Sequence, residues 1–320
     1  MGLLAPVAEF FLAEHRFKPI TGNVLFVGRQ TTFLNQNSLS VLLNKFNLTA
    51  APAGEVEFDA STWGAKSGRY ITDRYFMKTL GIENLRFVDV SDYEGADIVA
   101  DLGYPVDSSL HGQFDFIYNG GCLDNMFNPA TAMTNFSKML KPGGRVVCME
   151  SASSFNSPYL IYSPSWFFDY YVTNGFSDCK VYLCSYKDLV ELFFGPWDLF
   201  YYDWQRNKNG PSPEAKYNNH LILLTIAEKS AESTSETQPI QFQYRNDPNL
   251  NIEFEKNVRR FSVSKRPIIN SQLMEKNSPV LGRYSHLLSQ LTDQLRITLY
   301  RSQSHLRPLG KLGANIPKAR

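Results

Sequence analysis

Cysteine is scarce in this 320-residue chain and never falls in a C-x-x-C pair. Cys122, Cys148, Cys179 and Cys184 stand singly, mostly inside apolar runs. That pattern excludes a disulfide scaffold and fits small buried hydrophobes in a reducing, cytoplasmic protein. Histidine is sparse too: His15, His111, His220, His286 and His305 show no ligand spacing, so no metal site is expected. No run approaches the ~20 apolar residues of a membrane span. Neither a Ser-His-Asp set nor a phosphate-binding P-loop is evident. The first 17 residues, apolar at Leu3, Leu4, Val7, Phe10, Phe11 and Leu12, lack a basic leader and a small-residue cleavage site, and Glu9 and Glu14 interrupt them. An amphipathic helix covering the domain is expected there, not a signal peptide.

What is present is ample core material, 43% hydrophobic with 14% aromatic residues, enough for one large α/β domain or a domain with an appendage. The net charge of +1 conceals an asymmetry. Residues 1–238 carry 18 Lys and Arg against 26 Asp and Glu, a net of −8, and residues 239–320 carry 14 against 5, a net of +9. Opposite signs in two segments imply separate physical roles.

Residues 1–228 alternate strand-like and helix-like patterns, which implies a mostly parallel sheet. Seven strands are expected, at 23–28, 85–90, 96–102, 114–118, 145–150, 179–184 and 220–227, with helices at 38–46 and 71–80 among them. Residues 229–239 are short, polar and without apolar anchors, so they are expected to form a linker. Within the basic extension, residues 240–320, Ile240, Phe242 and Tyr244 alternate, as do Leu250, Ile252 and Phe254 beyond a turn-like Asn-Asp-Pro-Asn; this predicts a hairpin. Leu281, Tyr284, Leu288, Leu291, Leu295 and Leu299 predict a helix with one apolar stripe. Such a tail could dock on the acidic domain or join copies of the chain into a homo-oligomer, readings favoured over nucleic-acid binding.

The segment from Phe114 to Glu150 is the most informative. Phe114, Phe116, Ile117 and Tyr118 form a buried strand that stops at Asn119-Gly120-Gly121, as a parallel strand ending at a ligand-facing loop does. Ala130, Met133, Phe136, Met139 and Leu140 fall at helical spacing up to Pro142-Gly143-Gly144, and Val146-Val147-Cys148-Met149 is the next strand. This βαβ unit resembles the second half of a class I S-adenosylmethionine-dependent methyltransferase. The resemblance covers residues 20–228 and implies a Rossmann-like, doubly wound sheet of seven strands with helices on both faces. Ligands of such sheets sit at the carboxyl ends of strands, where strand order reverses.

The same resemblance implies a cofactor, S-adenosylmethionine, and residues to hold it. Gly28, Arg29 and Gln30 follow the first strand, where most of the family has G-x-G-x-G and only Gly28 matches. Asp89, with Ser91 after it, takes the ribose-binding position after the second strand; a carboxylate there can accept from both hydroxyls. Asp101 and Leu102 take the adenine-bracketing positions, and Asn119 and Gly120 the pocket floor after the fourth strand. More narrowly, VLFVGRQ, VDVSDYEGADIVADL, FDFIYNGGCLDNMFN and YSPSWFFDYYVTNGF resemble a bacterial methyltransferase-like group with a Gly-Arg-Gln first loop. Its fourth-strand segment usually reads Asp-Gly-Gly-x-Leu-Glu-His; here Asn119 and Asn125 replace the acid and the histidine. Asp124 and Glu150 remain as candidate general bases, needed where the acceptor is a hydroxyl that holds its proton. The aromatic run from Tyr159 to Phe176 suits either stacking walls for a small-molecule or saccharide-linked acceptor or a helix buried in the core. A non-catalytic, methyltransferase-like binding or scaffold module is the rival reading, and a nicotinamide-dependent sugar enzyme a third.

Overall fold

The computed structural model of the protein describes residues 2–62, 68–153, 157–207, 220–244 and 247–269. The leucine-striped helix expected over 281–299 lies outside them. Among the described residues the strands are β1 (Val24–Val27), β2 (Leu85–Asp89), β3 (Ile98–Val99), β4 (Phe114–Gly120), β5 (Leu140–Ser151), β6 (Asp178–Tyr186), β7 (Asp198–Tyr201) and β8 (His220–Glu228). They form one sheet in the order β3-β2-β1-β4-β5-β8-β6-β7. The first five in that order are mutually parallel, and β8 runs antiparallel to both β5 and β6. Strand order reverses between β1 and β4, the position at whose carboxyl ends sheets of this kind bind ligands. This is a Rossmann-like doubly wound sheet of eight strands, one more than expected. The addition, β7, is a four-residue edge strand antiparallel to β6 with alternating half-buried side chains, too short to leave a clear period.

Helices cover both faces, so β1 and β4 are nearly continuous apolar runs. One face carries α1 (Ala5–Phe17), α2 (Gln36–Lys45), α3 (Asp73–Thr79) and α6 (Leu189–Phe194); the other carries α4 (Pro129–Met139), α5 (Pro164–Thr173), the short α7 (Trp204–Asn207) and α8 (Pro248–Ser262). The helix α1 is more deeply enclosed than an amphipathic cover: Leu3, Leu4, Val7, Phe10, Phe11 and Leu12 are all fully buried. Phe11 meets the rings of Phe26, Phe116 and Tyr118 edge-on. Glu14, which interrupts the apolar pattern, is buried and held by Arg145 and Arg266.

Three expectations are corrected. Pro142-Gly143-Gly144 does not separate helix from strand but forms an irregularity inside β5, where Gly143 takes φ +77° and the register with β4 slips between Phe114 and Phe116. The hairpin beyond residue 240 is a short 3-10 turn, Phe242–Tyr244, followed by α8. Asp247 caps that helix, accepting from Asn249 N at 2.8 Å, and Pro248 starts it. Phe254, Val258 and Phe261 then fall on one buried face while Ile252 is exposed, so the helical period overrides the apparent alternation. The polar stretch after β8 is no free linker: Lys229 Nζ donates to the carbonyls of Ser137 and Leu140, and Thr234 and Thr237 bond Asn174. It runs along the C-terminal ends of α4 and α5. Beyond α8, Arg266 reaches Glu14, Asp178 Oδ2 at 2.7 Å and Glu228 Oε2 at 2.7 Å, so the part of the basic extension through residue 269 docks intramolecularly.

Candidate functional site

The carboxyl ends of β1, β2 and β4 meet around Gly28. Its amide donates to Val88 O at 2.8 Å, extending the β1–β2 ladder by one residue. Its φ of +70° is a left-handed conformation that glycine adopts without strain. A Cβ built on Gly28 would stand 3.4 Å from Asp89 Oδ2 and 4.0 Å from Cys122 Sγ, so residues from three strand ends face one another here. Asp89 is half-buried. Its Oδ1 accepts from Val90 N at 2.6 Å, and Oδ2 takes no hydrogen bond from the described residues. Beside it Val90 is 67% exposed.

Arg29 and Gln30 do other work. The Arg29 guanidinium grips Asp73 through Nε and Nη2 and lies over the Phe87 ring at 4.5 Å. Burial works against its charge, but Asp73, Asp59 and Glu94 outweigh that and hold its pKa above the ordinary value. Asp73 also accepts from Gln30 N at 2.7 Å, so the ion pair fixes the first loop from outside the cleft. Gln30 is buried; its amide nitrogen donates to Val27 O and Gly28 O, and its Oε1 lies against Gly120, where an added Cβ would approach to 2.1 Å. The Gly-Arg-Gln loop is thus braced by its own side chains rather than by further glycines.

Farther along the edge, Ala100 N donates to Asp89 O at 2.8 Å, which puts Asp101 just beyond the β2–β3 pairing. Asp101 is exposed, with Oδ1 accepting from Gly103 N at 2.8 Å. Leu102 is a core residue packed among Leu25, Val27 and Val88, and Ser91 is an exposed turn residue whose Oγ accepts from Tyr93 N. Sequence reasoning missed Glu94, whose carboxyl is raised by burial and by the nearby Asp89 charge, with Arg29 opposing. Its only signal was the Asp-Tyr-Glu-Gly turn after β2.

The β4 side is built on a buried carboxylate. Glu150 is fully enclosed, accepting from Asn119 Nδ2 at 2.5 Å, Leu123 N at 3.0 Å and Asp124 N at 3.3 Å. Burial, and then the Asp124 charge, push its pKa up to about 8. A group so enclosed cannot touch an acceptor; its expected role as a base is corrected to one of positioning the 3-10 turn Leu123–Asn125. Asn119 is likewise corrected: its side chain is committed to Glu150 and, through Oδ1, to Cys122 N. Burial raises the Cys122 thiol to about 12, with the Glu150, Asp89 and Asp124 charges in the same direction, which keeps it protonated and unreactive.

Asp124 is 5% exposed, and its Oδ2 accepts from Ser157 Oγ at 2.8 Å while Oδ1 accepts from Asn125 Nδ2 at 3.0 Å. Burial raises its pKa. The segment after β5 closes on this turn, with Tyr159 N donating to Asp124 O and Tyr162 Oη to Leu123 O at 2.8 Å. The aromatic run divides: Phe167, Phe168, Tyr170 and Tyr171 are core residues of α5, whereas Tyr159 is 59% exposed and meets the exposed Phe127. Ser157, half-buried, had no signal in the sequence.

No family model matches the sequence, and no curated protein matches it. Among solved structures, the chain matches the citrinin polyketide synthase CMeT domain at 14% identity and a TM-score of 0.37, covering 71% of this chain and 52% of that one. A Haemonchus contortus phosphoethanolamine N-methyltransferase 2 in complex with phosphomonomethylethanolamine and S-adenosylhomocysteine gives 13% and 0.36, covering 69% and 52%. A Thermotoga maritima S-adenosylmethionine-dependent methyltransferase, possibly acting on histamine, gives 13% and 0.34, covering 71% and 91%. The match spans about half the length of the first two. At TM-scores of 0.34 to 0.37 these likenesses carry no argument about this chain.

Proposed function

We propose that the protein is an S-adenosylmethionine-dependent methyltransferase acting on a small-molecule or saccharide-linked acceptor. The observation that carries this reading is the meeting of Gly28 and Asp89: a left-handed glycine beside a carboxylate oxygen that no described residue uses. That pairing fits the cofactor. A free carboxylate oxygen at a strand end is an acceptor for ribose hydroxyls, and the absent Cβ lets a ligand approach the β1 turn. Asp101 at the neighbouring strand end offers an acceptor for the exocyclic amine, and Val90 an apolar surface for the ring. Arg29, Gln30, Asn119 and Gly120 act as the frame of the cleft.

When bound, the cofactor supplies a methyl carbon that bonds to the acceptor atom as its bond to sulfur breaks, the electron pair staying on sulfur. The chain's share is alignment, which in favourable cases supplies ~7–11 kcal/mol, and removal of a proton from a hydroxyl acceptor. Asp124 is our candidate to take that proton, at Oδ2 by way of Ser157 Oγ, from which it accepts. Its raised pKa brings it toward the range in which a base works near neutral pH.

The rival, a binding module without catalysis, is favoured by one feature: Asn119 and Asn125 stand where the resembling group has an acid and a histidine. Thermal denaturation with S-adenosylhomocysteine and, separately, NADH tests the cofactor, and methyl transfer from labelled S-adenosylmethionine to an added acceptor separates catalysis from binding alone. A ligand at a hundredfold excess over its Kd stabilises by about 2.7 kcal/mol. Stabilisation by S-adenosylhomocysteine alone is expected. A shift with NADH alone, or with neither, sinks the proposal.

A further inference from the structure

Around Asp124 the surface changes character. Phe127, two residues past the Leu123–Asn125 turn, is 91% exposed, and Tyr159 is 59% exposed. Their ring centroids are 5.9 Å apart at 85°, an edge-to-face pair standing in solvent. Leu160 and Ile161 continue the apolar surface at 37% and 50% exposure. These groups come from two loops, one leaving β4 and one leaving β5, tied together by the Tyr159 N to Asp124 O bond of 3.2 Å. Among the described residues most aromatic rings are buried, so an exposed pair fixed to a turn bearing a buried carboxylate is a candidate ligand surface.

We propose that the Phe127–Tyr159 pair and the Ser157–Asp124 hydrogen bond form the acceptor subsite, and that the acceptor is a small apolar ring compound bearing a hydroxyl. This deepens the methyltransferase reading and rests on it. The ring lies against Phe127 and Tyr159, with Leu160 and Ile161 beside it. The hydroxyl meets Ser157 Oγ, the more accessible member of the polar pair, whose other bond runs to Asp124 Oδ2 at 2.8 Å. The balance of groups selects the class. A saccharide carries several hydroxyls, each needing a partner when desolvated; this surface offers the Ser157–Asp124 pair and the hydroxyl at the edge of Tyr159 against two ring faces and two aliphatic side chains, the Asn125 amide nitrogen being committed to Gly121 O and Asp124 Oδ1. A flat ring with one hydroxyl matches that count. Aromatic contacts of this kind contribute enough to read as roughly a fivefold change in affinity per ring removed.

The test uses the full chain and three probes, 2-naphthol, naphthalene and methyl glucoside, with affinities from ligand-observed NMR. S-adenosylhomocysteine affinity is measured in parallel on every protein. The expected result is that 2-naphthol binds more tightly than naphthalene or methyl glucoside. Phe127→Ala and Tyr159→Ala each weaken 2-naphthol by about fivefold, and Ser157→Ala removes the preference for naphthol over naphthalene. Both ring positions are exposed, so unchanged S-adenosylhomocysteine affinity in those variants shows that the fold is kept. The proposal is overturned if wild type does not bind 2-naphthol, if the ring variants bind it equally well, or if methyl glucoside binds better. Failure of wild type to bind S-adenosylhomocysteine overturns the parent reading instead, and is read independently.

Discussion

Replacing Arg266 by methionine tests how the basic extension is held. The guanidinium is 3% exposed and bonds three carboxylates, Glu14, Asp178 and Glu228. Each keeps a second cation when Arg266 is removed: Glu14 keeps Arg145, Asp178 keeps Lys180 at 2.8 Å, and Glu228 keeps Lys18 at 2.7 Å. Removing one member of a buried ion pair costs about 3–5 kcal/mol. The remaining partners put Arg266→Met at the lower end, about 3 kcal/mol, which for a domain of this size lowers Tm by roughly 6–12 °C. Methionine retains much of the aliphatic bulk, so the loss reports charge rather than volume. Because the pairs are buried, high salt should not abolish the difference. Arg259→Met is the control: Arg259 is 78% exposed and 3.9 Å from Glu255, a surface pair worth at most a few tenths of a kcal/mol. Urea denaturation measures both. An Arg266→Met protein within about 0.5 kcal/mol of wild type would refute the docking of this segment on α1, β6 and β8.

Gly120→Ala drives a methyl group to 2.1 Å from Gln30 Oε1 and 3.0 Å from the Tyr118 ring; with the Gln30 amide tied to Val27 and Gly28, the expected loss is about 1–3 kcal/mol in urea denaturation, accompanied by weaker S-adenosylhomocysteine binding, and a neutral effect would contradict the braced first loop. Glu150 binds a proton more tightly folded than unfolded, with its pKa moved from 4.5 to about 8. Stability therefore declines as pH climbs from about 4.5 through 8, by on the order of a few kcal/mol, and levels off above. In Glu150→Gln that part of the slope disappears, at a fixed cost of about 1 kcal/mol because the amide nitrogen then opposes Asp124 N; urea midpoints across this range decide, and an unaltered slope in the variant argues against the assignment.

The parallel core of the fold was legible because its strands are buried on both faces, and continuous apolar runs such as Val24–Val27 survive any local ambiguity. What escaped were elements with weak or double periods. The edge strand β7 has four residues, and Leu250, Ile252 and Phe254 satisfy alternation while Phe254, Val258 and Phe261 satisfy a helix; Asp247-Pro248 was the deciding signal and was read as a turn. At the candidate site, residue type singled out Gly28 and Asp89, and the convergence of strand ends brings them together. Side-chain direction was not legible. Arg29 turns to Asp73, forty-odd residues away, Asn119 to Glu150, and Leu102 into the core, partnerships that only the folded chain specifies. Ser157 became visible only once its segment closed on Asp124.

Calorimetric titration of S-adenosylhomocysteine into wild type and Asp89→Ala tests the central claim most directly. In the proposed role Asp89 accepts from the ribose hydroxyls, and losing that contact removes roughly 1.5–3 kcal/mol, so the account predicts binding by wild type and about a 10- to 100-fold weaker Kd in the variant, with Tm little changed. Equal affinities in the two proteins, or no binding by wild type, would contradict it.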